Sequence, residues 1–471
     1  MKVLFVYPVP PSNLQILRYQ QGIGSMAAVL KQAGHSADLL VIQQFDPELI
    51  DATLARIQPN LVALSLTSNF FEIGRQVARH VAAQHHIPVI LGGIHPTLCP
   101  EETIESEGVF ALCRGEGEFP LLELCEALQA NRDPTGIPNL WVKSDGKIFR
   151  NEIRPLIDPL DQLPYPDREI FNFTNLLKQF PEAEFMGSRG CPFQCTYCAN
   201  HALVELYRGK GPYVRFRSIP HLMGEIESVL HRYPEIGFLG FHDDTFTLNP
   251  RWTHEFLDAY SARFKTPFWC NATADSITPD LAARLKQAGC YEVRMGVESG
   301  SDTIRTEILR KKVPREAIVS AFRILREAGI TRYAFNMVGL PFETPQTIRE
   351  TVALNQEIQP DQVFCSVFYP YPGTQSWELC RSKGWISGTA VSSYFAHESA
   401  LDQPTIRRRE VVFTHEIFRD LVRWPRWDWL IRALHHIPVS RTKSAWNLFR
   451  RLRAKTLETL DRINDTPHHP E

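Results

Sequence analysis

The chain has 471 residues, a formal net charge of −2 and 44% hydrophobic residues. That near-neutral balance argues against a general nucleic-acid binder, and no apolar run reaches the length of a membrane-spanning helix. The length suggests two to four domains, and seven of the ten cysteines are scattered without a disulfide-like pattern, which fits a reducing, cytoplasmic setting.

The first part is expected over residues 1–137. Met1-Lys-Val-Leu-Phe-Val-Tyr-Pro8 reads as a strand, not a signal peptide. Gly22 to Gly34 reads as a helix closed by glycine, Asp38 to Ile42 and Leu61 to Leu66 as strands, and Glu72 to His85 as a helix. Pro88 to Gly93 and Ala111 to Cys113 are two further strands. Continuous apolar strands alternating with amphipathic helices predict a doubly wound parallel sheet, Rossmann-like, with ligands at the carboxyl ends of the strands. The polar loops fall there: Ser65 to Asn69, Gly92-Gly-Ile-His-Pro-Thr97 and Gly115-Glu-Gly-Glu118. Their glycines would let backbone N–H groups approach a phosphate or an amide-rich ligand closely.

Residues 138–178 read as a connector, with a hairpin signal at Lys143 to Ile148 and then Pro155, Pro159, Pro164 and Pro166. Residues 179–375 repeat strand and helix. Six apolar strands begin near Glu184, Ile236, Pro267, Glu292, Tyr333 and Gln362, and predict a partial (β/α)6 barrel with its chemistry at the strand ends. Residues 376–471 read as a helical C-terminal region. Residues 404–455 carry 13 Lys or Arg against 4 Asp or Glu, interleaved with Trp424, Trp427, Trp429 and Trp446. Tryptophan and arginine together suit a boundary between apolar and anionic phases. A solvated helical cap and a peripheral contact with an anionic membrane, admitting a lipid-like substrate, are both open readings.

The loop after the first barrel strand reads Gly187-Ser-Arg-Gly-Cys-Pro-Phe-Gln-Cys-Thr-Tyr-Cys-Ala-Asn200. Cys191, Cys195 and Cys198 can wrap one face of a metal centre. Structural zinc wants four protein ligands, and His201 follows too closely to be a comfortable fourth. A [4Fe–4S] cluster normally takes four cysteines, so three leave one iron open to a substrate.

This C-x3-C-x-aromatic-C arrangement resembles the radical S-adenosylmethionine (radical SAM) superfamily. Gly92-Gly93 and Ser65-x-Thr67 at strand ends, placed before the cysteine motif, are similar to the cobalamin-binding domain of B12-dependent members. The resemblance extends over residues 1–374 and implies three cofactors: a [4Fe–4S] cluster on Cys191, Cys195 and Cys198, SAM and cobalamin. It places SAM against Tyr197, Asp243, Asp244, Glu298, Ser299 and Gly339, and cobalamin against Ser65, Thr67, Gly92, Gly93, His95, Gly115 and Glu116. The D-x-H-x-x-G motif that supplies a cobalt-ligating histidine in the wider cobalamin family is missing, which implies binding without a protein imidazole. Thr273 stands where relatives often carry arginine, which puts a carboxylate contact there in doubt and points to a less charged pocket.

The resemblance implies that a reduced cluster splits SAM to a 5′-deoxyadenosyl radical and that cobalamin hands a methyl group to the substrate radical. C-methylation of an unactivated carbon is the expectation, with an external donor such as flavodoxin or ferredoxin. An oxidative cyclase or rearrangement enzyme, and a non-enzymatic iron–sulfur or corrinoid carrier or sensor, stay open. A methylthiotransferase would need further cysteines, and residues 1–98 contain none. No motif specifies the substrate or a catalytic acid or base.

Overall fold

The computed structural model describes residues 1–10, 19–387 and 398–425. Seven strands form the first sheet: β1 (Lys2–Pro8), β2 (Ser36–Ile42), β3 (Leu61–Ser65), β4 (Val89–Gly92), β5 (Ala111–Cys113), β6 (Leu140–Ser144) and β7 (Lys147–Arg150). Their order is β2-β1-β3-β4-β5-β6-β7, with β1 to β5 parallel. Side-chain alternation splits β1 between two cores. Val3 and Phe5 pack on one face of the sheet, and Leu4 and Val6 on the other, against Val77 and Val81 of the helix Phe71–His85.

The hairpin expected within the connector instead extends this sheet. β6 pairs antiparallel with β5 and β7 with β6. Its turn residues Asp145 and Gly146 both have positive φ, 51° and 71°, which matches the right-handed twist of the strands it joins.

The second sheet comprises β8 (Glu182–Phe185), β11 (Phe238–Phe241), β12 (Phe268–Ala272), β13 (Cys290–Glu298), β14 (Thr331–Val338) and β15 (Gln362–Val367). All its pairings are parallel, in the order β15-β14-β13-β12-β11-β8. Between β8 and β11, a two-stranded ribbon of β9 (Ser188–Arg189) and β10 (Arg215–Phe216) flanks the cysteine motif. The architecture is therefore the expected doubly wound sheet followed by a six-stranded partial barrel.

Four of the barrel helices begin with the same local solution. Ser218, Asn249, Thr278 and Thr344 accept the N–H of the residue three along, and a proline follows in the first turn. The side-chain oxygen satisfies a donor that the helix leaves orphaned, and the proline lacks an N–H where none is needed. The helix Arg408–Arg423 ends the described chain. The main unit of the chain is Met1–Glu416, and a second unit begins at Ile417. The tryptophan-rich stretch from Trp427 onward lies outside the described residues. Among those described, no helix is long and apolar enough to cross a membrane.

The outward face of the barrel strands is packed with aromatics. Phe241 is fully buried, with ring centroids of Phe246 and Phe256 at 5.0 Å, Phe268 at 5.4 Å and Phe185 at 6.1 Å. Phe241→Ala should leave a cavity that surrounding rings cannot refill, at a cost of about 3–5 kcal/mol. Chemical denaturation followed by circular dichroism would read that loss as a lowered midpoint.

Candidate active site

The cysteine loop is held from three directions. At its entrance the Gly187 N–H donates to Asp243 Oδ2 at 3.1 Å and the Ser188 hydroxyl donates to Asp243 Oδ1. Gly190 turns the chain at φ 91°, where a Cβ would stand 2.4 Å from the Tyr213 carbonyl oxygen, so only glycine fits before Cys191. In mid-loop, the Thr196 N–H donates to Leu309 O at 3.0 Å and its hydroxyl to Ile308 O at 2.8 Å, while the Ser376 hydroxyl donates to Thr196 Oγ1 at 3.0 Å. At the exit, His201 Nδ1 lies 2.6 Å from Cys198 O.

The three thiols are half-buried and unpaired by disulfides. Burial pushes Cys191 up to about 12 and raises Cys195 and Cys198, with Lys311 partly countering the effect at Cys195. Their thiolate forms therefore call for a bound cation.

Beside the loop, Tyr197 and Lys311 both donate to Glu298 Oε1, each at 3.2 Å. Glu298 sits at φ 63°, at a register shift where β13 meets β14. Burial lowers the tendency of Lys311 to stay charged, and Glu298 and Cys195 more than restore it. Lys311 lies outside every sequence motif; only its place in the fold brings it here.

The other expected residues divide. Asp243 is fully buried and its carboxylate is taken up by Gly187 and Ser188, so it fixes the loop entrance. Asp244 is the one of the pair open to solvent, and local enclosure raises its carboxyl. Ser299 is also fully buried, its hydroxyl 3.3 Å from Thr351 Oγ1. Gly339 has φ 81°, and its N–H and that of Leu340 donate to Glu343 Oε2. Glu343 is fully buried, its Oε1 has no hydrogen-bond partner, and burial pushes its carboxyl up to about 8.

At the carboxyl ends of the first sheet lies an open cleft of about 250 Å³. Phe5 of β1 and Ala63, Leu64 and Ser65 of β3 line it, at the point where strand order reverses. Gly92, Gly93, Gly115 and Glu116 line it as expected, with Met26 alongside. At Gly92 a Cβ would meet the protein only at 3.6 Å, so its missing side chain leaves room rather than relieving a clash. Thr67 and His95, expected with this set, are not among the lining residues. Gly93, at φ 95°, folds the loop back so that the His95 N–H donates to Leu66 O at 3.1 Å and its ring stacks on Phe71 at 3.9 Å. No histidine lines the cleft among the described residues. A glycine-lined, largely apolar cleft without imidazole fits a large corrin approached by backbone.

Met186 and Arg189, which flank the entrance to the cysteine loop, also line this cleft. Arg189 reaches Glu116 Oε1 at 2.9 Å and Glu118 Oε1 at 2.6 Å. Arg215 reaches Glu116 Oε1 at 2.9 Å, and the Ser25 hydroxyl donates to Glu118 at 2.8 Å. Burial pushes Glu118 upward, but Arg189 outweighs it and holds the carboxyl below its usual range.

The inward face of the barrel is polar. His242 Nε2 is 3.2 Å from Glu184 Oε1, and its ring meets Trp269 edge-on at 4.7 Å. Arg294 lies 3.6 Å over the Trp269 ring and donates to Glu292 Oε1 at 2.6 Å. Thr273 itself brings no charge to its strand end; one strand over, Arg294 is present but paired with Glu292.

Comparison with known proteins adds the following. Residues 186–354 match the model of the radical SAM superfamily, and residues 19–125 match the B12-binding domain. An uncharacterised methyltransferase of Pyrococcus horikoshii is 28% identical over 408 residues, 83% of this chain and 87% of the relative. The anaerobic magnesium-protoporphyrin IX monomethyl ester cyclase of Rubrivivax gelatinosus is 26% identical, covering 79% of this chain and 68% of the cyclase. In fold, the chain resembles the radical SAM methyltransferase TsrM of Kitasatospora setae, solved with cobalamin and a [4Fe–4S] cluster, with a TM-score of 0.67, 19% identity and coverage of 83% and 79%. It also resembles the cobalamin-dependent SAM radical enzyme OxsB, with a TM-score of 0.69, 17% identity and coverage of 97% and 71%.

The Glu343 carboxyl gives a pH test. Its folded value, about 8, lies above the ordinary 4.5. Between those values the unfolded chain releases a proton that the folded chain keeps, so stability falls as pH rises through the window, by up to about 1.4 kcal/mol per unit. Glu343→Gln keeps the acceptor for Gly339 and Leu340 and removes the titration. Its stability relative to the parent, measured by urea unfolding, should increase from pH 5 to pH 8.

Proposed function

We propose, for a chain that belongs to the radical SAM superfamily and carries a B12-binding domain ahead of its radical SAM domain, that this cobalamin-dependent enzyme methylates an unactivated carbon of a small molecule. When bound, the [4Fe–4S] cluster and SAM supply a carbon-centred radical and cobalamin carries the methyl group.

The observation that supports this reading is a shared wall. Met186 and Arg189 border both the N-terminal cleft and the entrance to the cysteine loop. A substrate in the barrel could then face both cofactors from one position. In this reading Cys191, Cys195 and Cys198 hold the cluster. Asp244 attracts the SAM ammonium, because it is the carboxylate of the pair that remains open. Glu298, oriented by Tyr197 and Lys311, accepts from the SAM ribose, and Gly339 borders the adenine. Ser65, Gly92, Gly93 and Gly115 offer backbone and hydroxyl contacts to the corrin. Arg294 and the Glu184–His242 pair orient a polar portion of the substrate. The electron comes from an external donor such as flavodoxin or ferredoxin.

Oxidative cyclisation is the second reading, favoured by the named cyclase among the relatives. Incubation of the reduced, fully loaded enzyme with trideuteromethyl SAM separates the two. Mass spectrometry should find the label on the released corrinoid. Formation of 5′-deoxyadenosine with no labelled corrinoid would support cyclisation instead. Changing all three motif cysteines to Ala should remove the iron and abolish SAM cleavage, while the far-ultraviolet spectrum stays that of a folded protein. Retained iron and activity would refute the cluster assignment.

Cobalt coordination supplies a separate check. With no histidine lining the cleft among the described residues, labelling the protein with 15N-histidine should leave the electron paramagnetic resonance spectrum of bound cob(II)alamin unchanged. A change in nitrogen superhyperfine splitting on that labelling would overturn binding without a protein imidazole.

A further inference from the structure

We propose that His95, Cys99 and Glu102 form a site for a zinc-class divalent cation, separate from the cluster and the cleft. The three occupy positions i, i+4 and i+7 along the short helices Ile94–Leu98 and Pro100–Glu105. Their Nε2, Sγ and carboxylate oxygen all lie within 4.8 Å of one another.

Three features point to an ion. The first is an orphan: His95 is only 4% exposed, and its Nε2 has no hydrogen-bond partner. A buried polar atom left unpaired is uncommon and costs roughly 1–3 kcal/mol unless a ligand satisfies it. The second is orientation. His95 Nδ1 lies 3.0 Å from Ser68 Oγ, and the ring is stacked on Phe71. When Nδ1–H donates to that hydroxyl, Nε2 keeps the lone pair that a metal needs. The third is spacing. Nε2 stands 3.8 Å from Glu102 Oε2, too long for a hydrogen bond. Ligands at about 2.0–2.3 Å from a tetrahedral ion stand roughly 3.3–3.7 Å apart, so little movement would bring both onto one cation. The group formed by Asp51, His80 and His85 makes the contrast clear. There both Nε2 atoms lie 2.6 Å from Asp51 Oδ1, and shared protons account for the geometry.

A mixed nitrogen, sulfur and oxygen set suits zinc better than magnesium or calcium. Three protein ligands leave a fourth position for water. The location gives the ion a purpose. The loop leaves β4 through Gly92 and Gly93, which line the cleft. On its far side Leu98 presses on Gly373, where a Cβ would stand 2.6 Å from Leu98 Cβ. A bound ion would lock the loop between the corrin cleft and the end of the barrel.

The test uses the enzyme with cluster and cobalamin in place, freed of loose metal and dialysed anaerobically against chelator-buffered zinc. Elemental analysis should find one zinc per chain beyond the iron and cobalt, held at micromolar free zinc or below. Cys99→Ser with Glu102→Gln, both at partly exposed positions, should weaken zinc binding at least tenfold with iron and cobalt unchanged. Zinc should also slow alkylation of Cys99 in the parent, read by peptide mass mapping, which covers a variant that fails to fold. No zinc uptake by the parent, uptake equal in the variant, or alkylation of Cys99 indifferent to zinc would overturn the site.

Discussion

Arg189 governs how the two halves of this molecule meet. It stands two residues before Cys191, in the ribbon that introduces the cysteine loop, and reaches into the first sheet to Glu116 and Glu118. Arg215, its neighbour across the ribbon, grips Glu116 from the other side. Such buried charges gain little net stability, because desolvation consumes most of their attraction. Leaving one unpaired is another matter, at about 3–5 kcal/mol. The network therefore acts as a constraint on register. Glu116 belongs to the loop after β5 and Glu118 starts the next helix, so both carboxylates move with the strand ends that line the cleft. A displacement of the cysteine loop relative to that cleft therefore breaks these ion pairs.

A second constraint lies at the end of β13. Glu298 adopts φ 63°, a conformation that costs a non-glycine residue of order 1–3 kcal/mol. The distortion turns its carboxylate back over the strand. At Gly296 a Cβ would lie 2.1 Å from Glu298 Oε1 and 2.7 Å from Lys311 Nζ, so the strand must carry glycine there. The local strain places one acceptor between a phenol and an ammonium group. Tyr197 is itself part of the cysteine loop, and so the loop, the strained strand and Lys311 report on one another's position.

Much of this was legible in the sequence. The strand-and-helix alternation, the order of the two sheets and the C-x3-C-x2-C loop are local patterns, and each survives in the fold. What escaped reading depends on distant pairing. Lys311 and Arg189 belong to no pattern of their own and acquire meaning only from partners 13 and 73 residues away. Asp243 shows the converse: its place in a motif was plain, but Ser188 and Gly187 claim both oxygens. His95 stood in a loop correctly placed at a strand end, yet a single positive-φ glycine turned its ring away from the cleft and onto Phe71. The hairpin after Ser144 carried a clear turn signal, but sequence alone could not say that its strands complete the first sheet rather than stand apart.

The six-stranded parallel sheet ends on β8 and β15, which do not pair with each other. A closed eight-stranded barrel fills its own centre with layers of side chains, leaving space for substrate mainly at its mouth. Here the ring is unfinished, and Phe364 on the outermost strand is exposed. The enclosure on that flank must be made by side chains and loops, which drift readily over evolutionary time, rather than by backbone hydrogen bonds, which do not. Guests of very different girth could be accommodated by redrawing that one flank, while Arg189, Glu298 and the cysteine loop on the opposite elements stay as they are.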